Sequence, residues 1–401
     1  MKKLLLITLA FIVSVTAFYS CNESLVDDSP GNGPELKSAS LGAKSYIVVL
    51  NDDELNSELS KLKGYEKKQE AVRSSSEKIL KRAGITDGVV EHVYGNSIHG
   101  FSVKIAPGQL KKLQEDPSVK LIEEDQEMTL GEPVVKPFKG KPGGGGGTSP
   151  AQQIPWGITR VGGGTNYTGS NVAWIIDTGV DVTHPDLNVD ASRGTTFIRR
   201  STPDDDNGHG SHVAGTIAAL NNTIGVVGVA AGATVIPVKV LDRNGSGSYS
   251  AVIAGVDFVA ANGKSGDVAN MSLGGPVSDA LDAAVLAASE KVKFALAAGN
   301  EGDDANNHSP ARANGPNVYT ISAMNSSDNF ASWSNHGNPP IDYCAPGVSI
   351  LSTWKDGGYN TISGTSMATP HAAGVLLLGA AHKDGNVNGD PDGNADPIIH
   401  H

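Results

Sequence analysis

Three segments of the sequence carry an acid, a base and a hydroxyl that together could perform nucleophilic catalysis. Asp177 directly follows the apolar run 172–176, His209 stands between glycines at the start of a predicted helix, and Ser366 opens another predicted helix. A serine hydroxyl becomes a good nucleophile when a neighbouring base accepts its proton, and histidine has a pKa near neutrality for that task. An aspartate would orient the imidazole and stabilise the cation that forms.

The same segments offer groups that could stabilise a developing oxyanion. The amino-terminal end of the helix that carries Ser366 supplies backbone N–H groups and the positive end of a helix dipole. Asn300 follows the predicted buried strand 294–298, so its side-chain amide could point over the end of the sheet and donate a hydrogen bond. The pattern therefore predicts an acyl-transfer site with a residue for each role.

These residues need a scaffold, and the pattern after residue 150 predicts one. Apolar runs typical of buried parallel strands alternate with helix-like stretches. This alternation indicates a doubly wound α/β fold with a mostly parallel sheet, in which active sites lie at the carboxyl ends of the strands. We predict strands at 171–176, 235–240, 268–273, 294–298 and 318–323, and helices at 209–220, 250–261 and 278–289.

The chain before this domain divides into four predicted segments. Residues 1–21 combine a short positive start with an apolar stretch, which is typical of a secretion signal. Residues 22–44 are predicted to be a flexible tether, and residues 45–128 follow a β-α-β-β-α-β order that predicts a small α+β, ferredoxin-like domain. Residues 129–150 are rich in glycine and proline and predict a linker to the domain at 151–401.

The signal segment leaves two processing routes open. Ordinary signal peptidase could cut after Ala17, whereas the sequence FYSC at 18–21 is similar to a bacterial lipoprotein box with Cys21 as the lipidated residue. We therefore expect a product that is either secreted or anchored to the cell envelope at Cys21.

Charge and cysteine content exclude some functions. The formal net charge is −12, and almost all of it falls in residues 151–401. An acidic surface repels phosphate backbones, so we expect no nucleic-acid partner. Only Cys344 of the two cysteines lies in the main domain, which excludes an internal disulfide there, and we interpret Cys344 as a small buried side chain.

The sequence resembles the subtilisin family of serine proteases, and within it the proteinase K branch, over residues 45 to about 380. The resemblance implies a serine endopeptidase that works through an acyl-enzyme. It implies that Asp177, His209 and Ser366 form the catalytic triad and that Asn300 is the oxyanion donor. The motifs that carry it are IIDTG at 175–179, HGSHVAG at 209–215, MSLGG at 271–275 and GTSMATP at 364–370.

The resemblance also implies how a peptide substrate would bind. The peptide would add as a strand between two segments of the chain, with its side chains alternating into pockets. The first specificity pocket would be mostly glycine-rich backbone, which implies a broad preference for apolar or aromatic residues. The implied substrate-binding residues are Gly245, Ser246, Gly247, Ser272, Leu273, Gly274 and Gly299.

Two structural calcium sites are implied in the same way. The sequence LNNTIGV at 220–226 is similar to the calcium loop of the family, and oxygen-only ligation suits Ca²⁺. Bound calcium would stabilise only the folded state. The acidic run at 390–396 lacks the full EF-hand spacing, so we interpret it as a solvated tail. The implied ligands are Gln152, Asp186, Leu220, Asn222, Ile224 and Val226 for the first site, and Pro316, Val318 and Asp342 for the second.

Residues 45–128 resemble the inhibitory pro-domain of subtilases, which implies a zymogen whose own pro-domain blocks the active site. The sequence LIEED at 121–125 matches the last strand of such a domain. The connection to residue 151 is longer than is usual in the family, so self-cleavage near 128–131 and near Pro150 both stay open.

We expect a monomer that acts on proteins or peptides. The helix at 371–381 is expected to support Ser366, although less sequence follows it than in many family members.

Alternative readings fit parts of this pattern. A catalytically silent peptide-binding surface protein could use the same fold, but all four catalytic positions are filled. A non-peptidase acyl hydrolase would be expected to have a Gly-x-Ser-x-Gly elbow around Ser366, which the sequence lacks. His212 lies three residues from His209 and could act as the base instead. The resemblance places the catalytic histidine first, so we interpret His212 and His371 as structural.

Overall fold

The computed structural model of the chain describes residues 42–130, 150–379 and 381–401. The predicted signal segment, Cys21 and most of the tether and linker lie outside the described residues. All described residues fall within one unit, Lys37–His401. Within the described ranges, no helix combines the length and the apolar character needed to span a bilayer.

Residues 44–129 fold into an α+β arrangement. Its elements are β1 (Lys44–Leu50), α1 (Asp53–Lys61), α2 (Tyr65–Arg82), β2 (Val89–Tyr94), β3 (Gly100–Ile105), a 3-10 turn (Pro107–Gln109), α3 (Leu110–Gln114), β4 (Val119–Glu124) and β5 (Glu127–Thr129). The first four strands form an antiparallel sheet in the order β2-β3-β1-β4. Apolar residues of α1, α2 and the sheet form its core.

The first helical segment of the predicted β-α-β-β-α-β order is two helices, α1 and α2. Asp52 caps α1 by accepting hydrogen bonds from the backbone N–H groups of Glu54 and Leu55. The chain then breaks before α2 at Gly64, whose φ of 92° is open to glycine and costly for other residues. The break lets both helices place leucine, valine and isoleucine side chains on the same sheet.

The main domain is built from many short strands and a few longer helices. Its helices are α4 (Trp156–Arg160), α5 (His209–Ala218), α6 (Tyr249–Asn262), α7 (Asp279–Ser289) and α8 (Thr365–Leu378), with 3-10 turns at Ala191–Arg193 and Ala305–Asn307. Its strands are β6 (Thr165–Asn166), β7 (Ala173–Asp177), β8 (Asn188–Val189), β9 (Thr195–Thr196), β10 (Ala230–Ala231), β11 (Thr234–Lys239), β12 (Ser246–Ser248), β13 (Val268–Met271), β14 (Gly275–Pro276), β15 (Lys293–Ala297), β16 (His308–Ser309), β17 (Val318–Met324), β18 (Ile341–Pro346), β19 (Ile350–Trp354), β20 (Gly358–Ile362), β21 (His382–Asn386) and β22 (Pro397–His400).

Within the described residues, ten of these strands form one sheet. Their order is β21-β22-β18-β17-β15-β13-β7-β11-β8, with β9 also paired to β11. The pairings are parallel except that between β21 and β22. Alternate residues of β7 face opposite layers, since Trp174 packs with α6 and α7 while Ile175 packs with α5 and α8. Helices on both faces confirm the predicted doubly wound fold.

The acidic run at 390–396 is solvated at residues 391–394, as the sequence predicts, but it is a connection between two strands rather than a tail. It connects β21 to β22, and Asp396 is fully buried. Its carboxylate accepts hydrogen bonds from Ser322 Oγ at 2.5 Å and Asn338 Nδ2 at 3.0 Å, and burial raises the pKa of Asp396 to about 6. The apolar residues Ile398 and Ile399 are buried in the edge strand β22, and this burial draws the run against the sheet.

Candidate active site

Asp177 and His209 meet at the carboxyl end of the central strands. The buried strand β7 ends at Asp177, whose side chain is fully buried. His209 is the first residue of α5, and its Nδ1 lies 2.8 Å and 3.0 Å from the two carboxylate oxygens of Asp177. Burial opposes the charged imidazole, but the Asp177 carboxylate outweighs burial and raises the pKa of His209. The arrangement is that of a base oriented by an acid.

Ser366 lies in the first turn of α8 and faces the same cavity as His209. This cavity of about 270 Å³ is lined by both residues together with Asn300. The Ser366 hydroxyl donates a hydrogen bond to the carbonyl of Ser272 at 3.2 Å. Within the described ranges no hydrogen bond joins Ser366 to His209. The fold thus brings the two groups into one cavity with the hydroxyl turned towards Ser272.

The side-chain amide of Asn300 is oriented by its neighbours. Its Oδ1 accepts hydrogen bonds from the backbone N–H of Thr365 at 2.8 Å and from Thr365 Oγ1 at 3.0 Å. Because the oxygen is held there, the NH₂ group is left as the donor for the cavity that Asn300 lines. Gly299 permits this turn, since its φ is 106° and a Cβ there would collide with Asn335.

A segment of the chain itself occupies the cleft beside these residues. The strand β5 pairs antiparallel with β12, with Met128 opposite Gly247, and the N–H of Leu130 donates to the carbonyl of Gly245 at 2.9 Å. Leu130 lines both the cavity of Ser366 and His209 and a second cavity of about 90 Å³. The predicted substrate residues that line this second cavity are Ser272, Leu273, Gly274 and Gly299, and those beside β5 are Gly245, Ser246 and Gly247.

Two carboxylates of the N-terminal part cap helices of the main domain. Glu123 accepts hydrogen bonds from Ser278 Oγ at 2.7 Å and from the N–H of Ala280 at 2.9 Å, at the start of α7. Asp125 accepts from the N–H of Ser250 at 2.9 Å, at the start of α6. A carboxylate at a helix amino terminus satisfies free N–H groups and interacts favourably with the dipole. Both residues belong to the LIEED motif at 121–125, whose sequence alone predicted a strand and no contact with these helices.

Asp257 provides a third contact between the two parts, but here the carboxylate belongs to the main domain and the hydrogen-bond donors belong to the N-terminal part. It projects from α6 of the main domain and is fully buried. Its carboxylate accepts hydrogen bonds from Gln69 Nε2, from the N–H and Nδ2 of Asn96, and from the N–H and Oγ of Ser97, at 2.7 Å to 3.1 Å. The signal in the sequence was a lone acid within the apolar helix 249–262, which indicates a polar partner outside the domain.

The predicted ligands of the first calcium site come together. The Gln152 side chain donates to the carbonyls of Leu220 at 2.8 Å and Val226 at 3.3 Å, so these two carbonyls converge on one point. Asp186 accepts from Asn222 Nδ2 at 2.8 Å and from the N–H of Val226 at 3.0 Å. Burial raises the pKa of Asp186, and no basic side chain forms an ion pair with it among the described residues. A buried acid among converging oxygens fits a cation.

For Ile224 and for the second predicted calcium site, the structure shows the position of the residues but not a convergence of their oxygens. Ile224 forms a β-bridge with Ala151, beside Gln152. At the second site, Asp342 accepts a hydrogen bond from the N–H of Thr320 at 2.9 Å, and burial raises the pKa of Asp342 to about 6. Val318 begins the neighbouring strand β17, and Pro316 lies just before it.

The rival base and the other candidate side chains are buried away from the cavity. His212 Nε2 lies 2.9 Å from the carbonyl of Ile350, and burial lowers the pKa of His212 to about 3. His371 Nδ1 lies 2.8 Å from the carbonyl of Met367, and burial lowers its pKa to about 4. Cys344 is a buried free cysteine. None of the three residues lines either cleft cavity.

Two family models match the chain. The model described as the subtilase family matches residues 169–387, and the model described as peptidase inhibitor I9 matches residues 45–131. The second match coincides with the part that inserts β5 into the cleft. The predicted assignment to the proteinase K branch stays a prediction.

Several characterised proteins are similar to the chain. Alkaline serine exoprotease A of Vibrio alginolyticus is 40% identical over 350 residues, which cover 84% of this chain and 60% of that protein. Subtilisin E of Bacillus subtilis is 43% identical over 281 residues, covering 67% of each chain. Subtilisin-like protease 2 of Pseudogymnoascus destructans is 36% identical, covering 91% of this chain and 88% of that protein. A crystal structure of a cold adapted subtilisin-like serine proteinase is 40% identical, with a TM-score of 0.55, and covers 61% of this chain and 97% of that chain.

Proposed function

This chain belongs to the subtilase family of serine endopeptidases, and we propose that it hydrolyses peptide bonds with Asp177, His209 and Ser366 as its triad. One observation carries the proposal: the strand β5 and Leu130 lie in the cleft as a substrate would, beside Ser366, His209 and Asn300. Strand addition gives affinity through the backbone and leaves specificity to the side-chain pockets.

Attack begins when the Ser366 hydroxyl turns from the Ser272 carbonyl towards His209 Nε2. As Oγ bonds to the substrate carbonyl carbon, its proton passes to Nε2, and Asp177 stabilises the imidazolium at Nδ1. The carbonyl oxygen becomes an oxyanion, which accepts hydrogen bonds from the amide of Asn300 and from the amino-terminal end of α8. Losing one such donor costs on the order of 100-fold to 1,000-fold in kcat.

The intermediate then collapses to an acyl-enzyme. The peptide C–N bond breaks, and His209 gives its proton to the departing amine. A water molecule next attacks the ester carbon while His209 accepts its proton. The second intermediate breaks the ester bond, His209 returns the proton to Ser366 Oγ, and the acid product leaves.

We infer that the enzyme is made as a zymogen and first cuts itself between Leu130 and Gly131. Leu130 donates its N–H to the carbonyl of Gly245 and lines both cavities beside Ser366, where the residue before a scissile bond would lie. Of the two regions that the sequence left open, this position supports the one at 128–131. Cleavage near Pro150 would then be a later trimming step.

Calcium is proposed as a structural cofactor at two sites. Asp186 and the carbonyls of Leu220 and Val226 supply oxygens at the first site, and the amides of Gln152 and Asn222 can each offer an oxygen as well. Ile224 is included on the family resemblance. When bound, the ion would neutralise a buried carboxylate and tie the segment at 150–153 to the 220–226 loop. The second site is proposed for Pro316, Val318 and Asp342.

We propose that the enzyme is exported and acts as a monomer on protein and peptide substrates with broad specificity. The apolar stretch near the start of the sequence supports export, and Cys21 keeps a lipid anchor open. Part of the second cleft cavity supports broad specificity, because Leu273, Gly274 and Gly299 present backbone and apolar surface there, while Glu301 and His308 line another part of it.

Expression of the full chain beside Ser366→Ala tests the proposed function. We expect the wild type to release an N-terminal fragment ending at Leu130, identified by mass spectrometry, and to hydrolyse casein when calcium is present. The Ser366→Ala variant should stay intact and inactive. If the wild type neither cuts itself nor cleaves casein, the proposal is wrong.

A further inference from the structure

Asp205 is a buried carboxylate that lies beside the triad and outside the substrate cleft. Its side chain is buried, and it lines neither cleft cavity. It belongs to the short acidic run 204–206, whose other two members are exposed. No basic side chain forms an ion pair with Asp205 among the described residues. Its charge is instead held by hydrogen-bond donors.

The carboxylate joins the two segments that carry the acid and the base. Oδ1 accepts hydrogen bonds from Thr178 Oγ1 at 2.9 Å and from the N–H groups of Asn207 at 3.0 Å and Gly208 at 2.9 Å. Oδ2 accepts from the N–H of Ser211 at 2.9 Å and from its Oγ at 2.6 Å. Thr178 directly follows Asp177, and Gly208 directly precedes His209.

Every polar group of Thr178 forms a hydrogen bond, and its hydroxyl links these two segments. Its N–H donates to Asp177 Oδ1 at 2.7 Å, and its Oγ1 accepts from the N–H of Gly210 at 2.9 Å while donating to Asp205. Its carbonyl accepts from the buried ammonium of Lys239. A side chain fixed by several hydrogen bonds loses rotational freedom, so this network fixes the relative position of Asp177 and His209.

Asp205 also acts as the missing side-chain cap of α5. The N-cap position of this helix is Gly208, which has no side chain to satisfy the first N–H groups. Asp205 reaches them from three residues before the cap. A negative charge at a helix amino terminus is favourable, so the capping role offsets part of the cost of burying the carboxylate.

Three titratable groups face His209 from the elements around it. Asp177 lies at the end of β7, Asp205 precedes α5, and His212 lies on α5 itself. His212 is held neutral by burial. Asp205 therefore adds a second negative charge near the imidazole, and both carboxylates raise the pKa of His209.

We propose that Asp205 is a positioning residue for the hydrolytic reaction. It locks the turn after Asp177 to the helix that begins at His209, and its charge stabilises the imidazolium that forms in the transition state. The inference rests on the proposed function, since it assigns a role towards His209 acting as the base.

The test compares Asp205→Asn with Asp204→Asn in the full chain, expressed and allowed to process itself. Asp204 is the adjacent exposed carboxylate, which makes it a matched control. With a chromogenic peptide that has leucine before the scissile bond, we expect Asp205→Asn to lower kcat roughly 10-fold to 100-fold, as small misplacements of reacting groups do. KM should stay at the wild-type value. The acidic limb of the profile of kcat/KM against pH should move to lower pH. Asp204→Asn should leave kcat and the acidic limb unchanged.

A second variant covers the case in which Asp205→Asn does not fold. Thr178→Val keeps the shape of the side chain and the charge of Asp205 but removes the hydroxyl that ties Asp205 to the turn. We expect a lower kcat with the acidic limb in its wild-type position. Wild-type kcat in Thr178→Val would overturn the positioning role.

Folded Asp205→Asn with an unmoved acidic limb would overturn the charge role. An inactive wild type would instead reject the proposed function itself, so the two failures are distinct.

Discussion

Replacement of Asp257 by alanine is predicted to weaken the hold of the N-terminal part on the main domain. Asp257 accepts five hydrogen bonds from Gln69, Asn96 and Ser97, and it is fully buried. Truncating a buried, hydrogen-bonded charge at an interface costs about 2–5 kcal/mol. Each 1.4 kcal/mol is a factor of ten in Kd, so we expect the Kd of the cleaved fragment to rise about 30-fold to 3,000-fold.

The assay uses the processed complex, in which the fragment stays bound after self-cleavage. Serial dilution releases the fragment, and hydrolysis of a chromogenic peptide reports the free enzyme. Glu290→Ala is the matched control, because Glu290 is an exposed acid at the end of α7. The Tm of the freed enzyme should not fall in Asp257→Ala, since the site would then be open to water. If half of the peptide-hydrolysing activity appears at the same protein concentration in Asp257→Ala as in the wild type, the reasoning is refuted.

Three further predictions concern maturation, calcium and pH. Leu130→Asp should slow self-cleavage at least tenfold on a time-resolved gel, because it removes an apolar side chain packed against the core and places a carboxylate in a cavity that Glu301 already lines, at a cost of more than about 1.4 kcal/mol; cleavage at the wild-type rate would contradict the placement of Leu130. Removal of calcium by a chelator should lower the Tm of the wild type, and Asp186→Asn should show a smaller loss; equal losses would argue against Asp186 as a ligand. Asp396 has a folded pKa raised to about 6, so its contribution to stability is present below about pH 4 and is lost as the pH rises through 6. The free energy of unfolding of Asp396→Asn should therefore rise relative to that of the wild type by up to about 3 kcal/mol between pH 4 and pH 8 in denaturant titrations; a constant difference would contradict this sign.

Much of the fold and the site could be predicted because local patterns carry them. Apolar runs alternating with helical stretches predicted the doubly wound sheet, which the structure and the family matches confirm. Asp177, His209 and Ser366 lie at the end of a strand or the start of a helix, and Asn300 follows the end of β15 by three residues. Short motifs specify such positions well, since the backbone on either side fixes where the side chain points.

The features that the sequence analysis missed depend on partners far along the chain. Asp257 meets Asn96 and Ser97 across 160 residues or more, and only folding brings them together. The burial of Asp396 at the end of the acidic run 390–396 was missed because the neighbouring strand β22 decides it. The break at Gly64 was missed because a single glycine within a charged stretch is compatible with one helix or two.

The segment at 150–153 is already docked on the 220–226 loop while Leu130 lies in the cleft. Pro150 and Gln153 pair with Gly225, and Ala151 bridges Ile224. The nineteen residues 131–149 join these two anchor points, and at full extension they could reach about 65 Å. With the proposed cut after Leu130, the N-terminal part is separated from the main domain, and the segment at 150–153 does not have to move to reach its binding site on the 220–226 loop. Folding of the main domain and activation of the enzyme are thereby separable events, and an uncut precursor can already possess the framework of the mature protein.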